Sequence, residues 1–407
     1  MRVLFTADCH AIPGALAGLD RTDEWVRCGE FIADYAAENE VDLVVVSGDV
    51  FDRPRPTPAE IQHVLEWLNM TASSLSPVVI MPGTQSHDGS GPDRLGPTAL
   101  LAGLRLPNVL VVTEPGVHSV HHKPTDTPIW LACLPGFSKS WLANLDEVKG
   151  LPPVEQHRVM AARLADIIRG FAAELAGARG PKLLIGHLSV DGCVASSDES
   201  IRMTSEPVLA RGDLPDVFDA ACFGHIHRPQ VLQEQGPWIG YSGSWLRQNW
   251  GEEKDDRGFW VLDFDHSTGT LTAAEFVRLP AAELLTIEAD VRSATDPLSE
   301  VLNHLTFDQR LRGSIVHIRV TATEEQTRLI DPKAVQAEAE ACGVLHYAGL
   351  VVETERVARA RVEGVTQELD PLRAVELYID EAATDLADDK ADLLERARSL
   401  LKEVTAG

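Results

Sequence analysis

Val41-Asp42-Leu43-Val44-Val45-Val46-Ser47-Gly48-Asp49-Val50-Phe51-Asp52, residues 41–52, decides how the chain is read. Leu43 to Val46 is a short, β-branched, uninterrupted apolar run, the composition of a strand covered on both faces. The run stops at Ser47-Gly48, and the next residue is a carboxylate. In open α/β sheets chemistry collects where parallel strands end, so Asp49 is delivered to that edge. Taken alone, an Asp in such a place is a turn former or a helix cap. Four other predicted strand ends also carry metal-ligand side chains, and together they change the reading.

Arg2 to Ala7 predicts the first strand, running into Asp8-Cys9-His10. Residues 22–39 follow with helical spacing (Trp25, Cys28, Phe31, Ile32, Tyr35) and lead to the Asp49 strand. That is a β-α-β unit, which implies a parallel pair with a right-handed crossover. The stiff Arg-Pro-Arg-Pro-Thr-Pro stretch at 53–58 leads into a helix over roughly 58–70. Pro77 to Met81 predicts another strand, whose exit loop, Pro82-Gly83-Thr84-Gln85-Ser86-His87-Asp88-Gly89, holds a glycine-flanked His-Asp. Ile129 to Leu134 is a further strand, and 155–177 is a long amphipathic helix with no chemistry on it. Lys182-Leu183-Leu184-Ile185-Gly186-His187 repeats the pattern of apolar strand, glycine, ligand. Ala220-Ala221-Cys222-Phe223-Gly224-His225-Ile226-His227 repeats it again; on an extended chain residues two apart point the same way, so both histidines can face one site. His118, His121 and His122 sit near Lys123-Pro124 between short strands and read as surface residues, since none is at a buried strand end.

Of Asp8, His10, Asp49, His87, His187, His225 and His227, six are ligands enough for two divalent ions sharing Asp49 as a bridge. Mixed oxygen and imidazole donors suit manganese, iron or zinc, and there is no thiolate set for a structural zinc. Two bridged cations activate water and clamp the oxygens of a phosphodiester during in-line displacement.

Composition bounds this reading. A chain of 407 residues with 44% hydrophobic residues predicts two or three domains with ample core. Six cysteines without a CxxC pair fit a reducing cytoplasm. Met1-Arg2-Val3-Leu4-Phe5 is too short an apolar run for a signal peptide, and no stretch reaches the ~20 apolar residues of a membrane span. The expectation is a soluble cytoplasmic protein. The formal net charge of −26 runs against nucleic-acid binding, which usually leaves a basic footprint. Only the motifs argue for DNA.

Those motifs resemble the calcineurin-like metallophosphoesterase superfamily: Asp8-x-His10, Gly48-Asp49, Gly83…His87-Asp88, Gly186-His187 and Gly224-His225-x-His227. Within it the chain is similar to SbcD-type nuclease subunits of double-strand-break repair complexes. The extended Gly48-Asp49-Val50-Phe51-Asp52 points there, as do Tyr241-Ser242-Gly243-Ser244, Asn249-Trp250-Gly251-Glu252-Glu253 and Arg257-Gly258-Phe259. The resemblance implies an α/β fold, a four-layer α/β/β/α sandwich over residues 1–280, followed by a small α+β capping domain at 284–356. It implies a first ion on Asp8, His10, Asp49 and His227, and a second on Asp49, His187 and His225. It also implies catalytic roles for His87 and Asp88, His87 being an uncoordinated acid beside the leaving group. The family's asparagine, which supplies an oxygen to the second ion, is missing here; Thr84, Gln85, Ser86 or water would take its place. The cofactor implied is two divalent ions, manganese before iron or zinc. The partners implied are DNA and an SMC-like ATPase of the SbcC type, in a complex built on a homodimer. The activity is that of a DNA exonuclease or endonuclease in repair or recombination. The alternatives are a stand-alone nucleotide phosphodiesterase or phosphatase, and a non-catalytic assembly subunit with a decayed site.

Beyond 284 the pattern predicts strands at Leu285–Val291, Ser314–Ala322 and from Gly349 to Glu353, with helices at Leu298–Leu305 and 332–341. Residues 361–369 read as a polar linker. Leu372, Val375, Leu377, Tyr378 and Ile379, then Leu393, Leu394, Ala397, Leu400 and Leu401, mark two amphipathic helices around a charged turn at 385–390, a tail over 370–407. Helices this short are marginal alone and need a surface to cover. The resemblance implies that the tail grips the coiled-coil base of the ATPase; folding back on the cap is the other reading.

Overall fold

The apolar runs fold as strands buried on both faces. In a computed structural model, which describes all residues except 13, 74–75, 91–94, 123, 137–147, 149, 196–205, 355–369, 382–388 and 406–407, they assemble into two six-stranded sheets. The first takes β1 (Arg2–Thr6), β2 (Leu43–Ser47), β3 (Val78–Met81) and β4 (Val109–Val111) as parallel neighbours. The second uses β5 (Gly116–His122), β6 (Thr127–Leu134), β7 (Lys182–His187), β10 (Ala220–Gly224), β11 (Gln230–Gln233) and β12 (Trp238–Tyr241), in the order β11-β12-β10-β7-β6-β5. β8 (Ser189–Val190) and β9 (Val208–Leu209) make a separate two-stranded ladder. β13 (Gly258–Phe264) pairs antiparallel with β1, and β14 (Leu271–Arg278) pairs antiparallel with β13 to complete the first sheet.

Three cores hold these layers. Val3, Phe5, Leu43, Val45, Leu183, Ile185 and Cys222 pack between the two sheets. The opposite face of the first sheet is covered by the helices Thr22–Glu38 and Pro58–Ser73 through Trp25, Cys28, Ile32, Val64 and Leu68. The helix Pro153–Leu175 covers the outer face of the second sheet with Leu164, Ile168 and Leu175. The sandwich is therefore α/β/β/α, as expected, and double-sided burial is why its central strands lack alternation.

The chain divides into two compact units, one of residues 1–287, 305–318 and 336–349, the other of 288–304, 319–335 and 350–407. β15 (Leu284–Asp290), β16 (Ile315–Ala322) and β17 (His346–Thr354) form a three-stranded sheet in that order, with β17 longer than the sequence suggested. The helices Pro371–Glu381 and Lys390–Thr405 are linked by ion pairs from Lys390 to Asp380 and Glu376. The linker at 361–369 and most of the charged turn at 385–390 lie outside the described residues. Among the described residues no helix is long and apolar enough to cross a membrane.

A cluster of tryptophans supports the Asp8 loop from below. Trp25 stacks on Trp245 with centroids 5.2 Å apart, and Trp67 meets Trp245 edge-on at 4.9 Å. Trp25 Nε1 donates to Cys9 O at 2.9 Å, Trp245 Nε1 to Thr6 Oγ1 at 2.8 Å, and Trp245 N to Asp8 O at 3.3 Å. Trp245→Ala is therefore expected to cost about 3–5 kcal/mol, as for other buried aromatics truncated to alanine. Urea unfolding measures it, and a loss under about 1 kcal/mol would show the cluster to be dispensable.

Candidate metal centre

Five strand ends deliver their polar residues to one place. β1 leads to Asp8 and His10, β2 to Asp49, β3 to Thr84 and His87, β7 ends on His187, and β10 leads to His225 and His227. Ligand atoms of Asp8, His10 and His227 lie within 4.8 Å of one another, as do those of His10, Asp49 and His87, and those of Asp8, Asp49 and His187. Asp8, His10 and Asp49 each belong to two of these three groups.

The backbone is bent to achieve this. Asp8, His10 and Asp49 have φ of +50°, +41° and +48°, and His225 has +96°. Non-glycine residues in this region cost about 1–3 kcal/mol each and collect at functional sites. His225 has thus left the extended strand, so alternation along a strand is not what aims His225 and His227. The turn after Gly224 does it. The motif glycines are needed for close approach: a Cβ at Gly83 would collide with the Asp49 carboxylate, and one at Gly48 or Gly224 with the His187 ring.

Three imidazoles have their Nδ1 held by a hydrogen bond, and the buried Nδ1 of His10 has none. Nδ1 of His187 donates to Ser47 O at 2.7 Å, and Nδ1 of His87 to Asp52 O at 2.7 Å. Nδ1 of His227 lies 3.0 Å from Glu252 Oε1, and Nδ1 of His10 lies 3.5 Å from Asp52 Oδ1. Such anchoring fixes tautomer and orientation, leaving the other nitrogen as a lone pair for a cation. His10 Nε2 meets His227 Nε2 at 3.1 Å, a contact joined by a proton on one of the two nitrogens or by a cation between them. His187 Nε2 is buried without a hydrogen bond, 3.2 Å from Asp49 Oδ2.

The charges tell the same story. Burial opposes ionisation of Asp49, yet the nearby His187, His87 and His10 outweigh it and hold the carboxyl well below the usual carboxylate range. Burial would lower His187, but Asp49 and Asp8 push it up to about 10. Burial lowers His10 despite its contact with Asp52. The donor set is anionic, converging and imidazole-rich, and divalent cations fit it.

Asp88 faces elsewhere. Its carboxylate accepts Val50 N and Gly83 N, both at 2.7 Å, and Thr98 Oγ1 at 2.6 Å. Burial, then the charge of Asp49, raises it to about 6. It ties the β2 and β3 exit loops together and so positions Asp49 and His87. His118, His121 and His122 belong to β5 itself and not to a segment between strands. His122 is a correction to the surface reading, since its side chain is only 10% exposed and pairs with Asp42 at 3.1 Å.

Three contributors were not assigned roles from sequence. Asp52 anchors His87 through its backbone oxygen, and its carboxylate lies 3.5 Å from His10 Nδ1. Glu252 is buried between His227 and Arg257; burial pushes it up, but those two partners hold it at about 2. Glu206 contacts His225. Thr84, one of the residues expected to stand in for asparagine, has its Oγ1 3.2 Å from both Asp49 oxygens.

Residues 1–229 match the family described as calcineurin-like phosphoesterase. Among curated proteins, the chain is 24% identical over 329 residues to the SbcD component of the SbcCD nuclease of Staphylococcus epidermidis, covering 78% of this chain and 80% of that one. It is 25% identical to the SbcD component of the Bacillus subtilis SbcCD nuclease over 276 residues, 65% of this chain and 66% of the relative. It is 23% identical over 244 residues to the DNA double-strand break repair protein Mre11 of Aeropyrum pernix, 60% of this chain and 53% of that one.

Proposed function

The chain belongs to the calcineurin-like phosphoesterase family, and on that premise we propose that it is a metal-dependent DNA nuclease subunit working with an SMC-like ATPase. The observation that carries the chemistry is the overlap of three donor groups, which share Asp8, His10 and Asp49 at the meeting point of five strand ends. In this reading Asp8, His10, Asp49 and His227 hold one divalent ion, and Asp49, His187 and His225 hold a second. Of the three side chains that stand where the family has asparagine, Thr84 is best placed, because Gln85 Nε2 is bonded to Ser90 O and the Ser86 hydroxyl meets Thr84 and not Asp49. The two ions, manganese in the first instance, would supply Lewis-acid polarisation of a phosphodiester and lower the pKa of water. His87 presents Nε2 toward the same space and would protonate the leaving oxygen. Asp88 and Asp52 keep these groups in register.

DNA as substrate is supported by the alignment to nuclease subunits, not by charge. With −26 overall, the chain needs a basic surface from elsewhere to hold duplex DNA, since phosphate contacts dominate affinity. An ATPase with its own DNA-binding surface meets that need in a cytoplasmic complex built on two copies of each subunit. The 284–356 segment would cap the metal centre, and the helices Pro371–Glu381 and Lys390–Thr405 would dock the partner. Truncation after Glu368 tests this. Manganese-dependent hydrolysis of bis-p-nitrophenyl phosphate should persist at the full-length rate, while co-purification with the ATPase and nuclease activity on duplex DNA are lost. Loss of small-substrate hydrolysis, or retention of the partner, overturns the docking role.

The acidity itself favours one other reading, a stand-alone phosphodiesterase on small nucleotides. That reading predicts rapid hydrolysis of nucleotide phosphodiesters by the chain alone and no gain on adding the ATPase.

A further inference from the structure

His225 is anchored in the opposite sense to its neighbours. In His87, His187 and His227 the held nitrogen is Nδ1. In His225 it is Nε2, which lies 2.9 Å from Glu206 Oε2. We propose that Glu206 is a positioning residue that fixes His225 with its proton on Nε2 and thereby selects Nδ1 as the ligand atom for the second ion. The inference rests on the reading of these residues as a divalent-metal centre and goes beyond it by assigning a residue that no motif supplies.

The fold explains how a residue far along the chain from His225 reaches it. Immediately after His187 the chain forms β8, which pairs in parallel with β9, Ser189 opposite Val208 and Val190 opposite Leu209. Asp191 N donates to Leu209 O at 2.8 Å and closes the ladder. Tyr241, fully buried on β12, locks it: its hydroxyl accepts Val190 N at 2.8 Å and donates to Leu188 O at 2.9 Å. The buried Pro207 then joins β9 to Glu206, so the carboxylate is presented from a clipped segment beside the His187 strand end.

The backbone of His225 is fixed independently. Its N–H donates to both Asp8 carboxylate oxygens at 3.0 Å, and its φ of +96° turns the backbone out of the strand. What remains free is rotation of the ring. A carboxylate on Nε2 sets that rotation and raises the basicity of Nδ1, as carboxylate partners of metal-bound histidines do. The two side chains are 11% and 28% exposed, so water competes only partly for the contact.

Manganese titration of the full-length chain by calorimetry, with ion occupancy counted by native mass spectrometry, tests the assignment. Glu206→Ala should weaken one of the two ions by about 10–100-fold, the usual cost of losing such a partner, and leave the other unchanged. Glu206→Gln should stay within a few-fold of the parent, because its amide oxygen still accepts the Nε2 proton. Nitrogen NMR of the zinc-loaded chain should show His225 protonated at Nε2 in the parent and in the glutamine variant. Unchanged affinity for both ions in Glu206→Ala overturns the proposal. So does equal loss in the alanine and glutamine variants, which would make the charge itself a ligand. A parent chain that bound no manganese would instead overturn the metal-centre reading, and this inference with it.

Discussion

Asp49→Asn is expected to bring phosphodiester hydrolysis to background and to weaken both divalent ions by more than about 10²-fold, beyond the usual cost of losing a supporting group. The carboxylate is buried, with Oδ1 accepting Thr84 N at 2.6 Å and Oδ2 lying 3.2 Å from His187 Nε2. It belongs to the His10–Asp49–His87 and Asp8–Asp49–His187 groups, and Asp8 and His10 are each shared by two groups as well. Asparagine keeps the shape and the oxygen that Thr84 N requires, so the β2 exit loop should hold. What disappears is one negative charge between two cation positions, in a site where the ions are the largest local charges. Manganese calorimetry beside a thermal melt checks this. Two ions bound as tightly as in the parent, at an unchanged melting temperature, would remove Asp49 from the bridging role.

The sandwich and the candidate ligands gathered at its edge were legible for one reason. A strand buried on both faces must be apolar throughout, so Leu43 to Val46, Leu183 to Ile185 and Ala220 to Phe223 stand out from the chain. The residue after each run then marks the sheet edge. Glycine beside that residue carries a second message, since Gly48, Gly83 and Gly224 sit where a Cβ would strike a candidate ligand. The supporting residues had no such marker. Glu206 is one carboxylate among 62 and is aimed by the β8–β9 ladder, whose strands of two residues leave no periodicity to read. Glu252 stood in a quoted motif beside Glu253, but nothing local separates the one that turns inward to His227 from the one that reaches Thr286. The reading that put His225 and His227 on one face of a strand rested on the wrong geometry, and only His227 falls in a donor group with Asp8 and His10. Alternation assumes an extended chain, and a φ of +96° at His225 ends it.

The charge of Asp88 was legible, but its role was not. Adjacent to His87, it invited a catalytic assignment. Its three partners are Val50 N, Gly83 N and Thr98 Oγ1, which is the pattern of a carboxylate bracing two loops. Braced loops matter here because four residues near the centre occupy left-handed backbone conformations that the surroundings must enforce.

His87→Ala is expected to keep both ions and to lose about 10²–10⁴-fold in DNA hydrolysis, the range for removing a general acid. Its Nδ1 proton goes to Asp52 O at 2.7 Å, so Nε2 is the nitrogen facing the site. Nε2 is 3.9 Å from Asp49 Oδ2, beyond hydrogen-bond reach. The side chain is 17% exposed, whereas His187 is fully buried and His10 is 1% exposed, which suits a group that must exchange protons with solvent. Yet His87 also shares a donor group with His10 and Asp49, so the geometry alone admits a ligand. The leaving group separates the two roles. A sugar alkoxide is strongly basic and needs a proton as it departs, whereas p-nitrophenolate does not. An acid at His87 therefore predicts a large loss on DNA and a loss of less than about 10-fold on bis-p-nitrophenyl phosphate, in line with Brønsted behaviour. A ligand at His87 predicts equal losses on both substrates and a missing ion in the manganese anomalous signal. Equal losses with an ion gone would transfer His87 from the proton-transfer step to the metal shell.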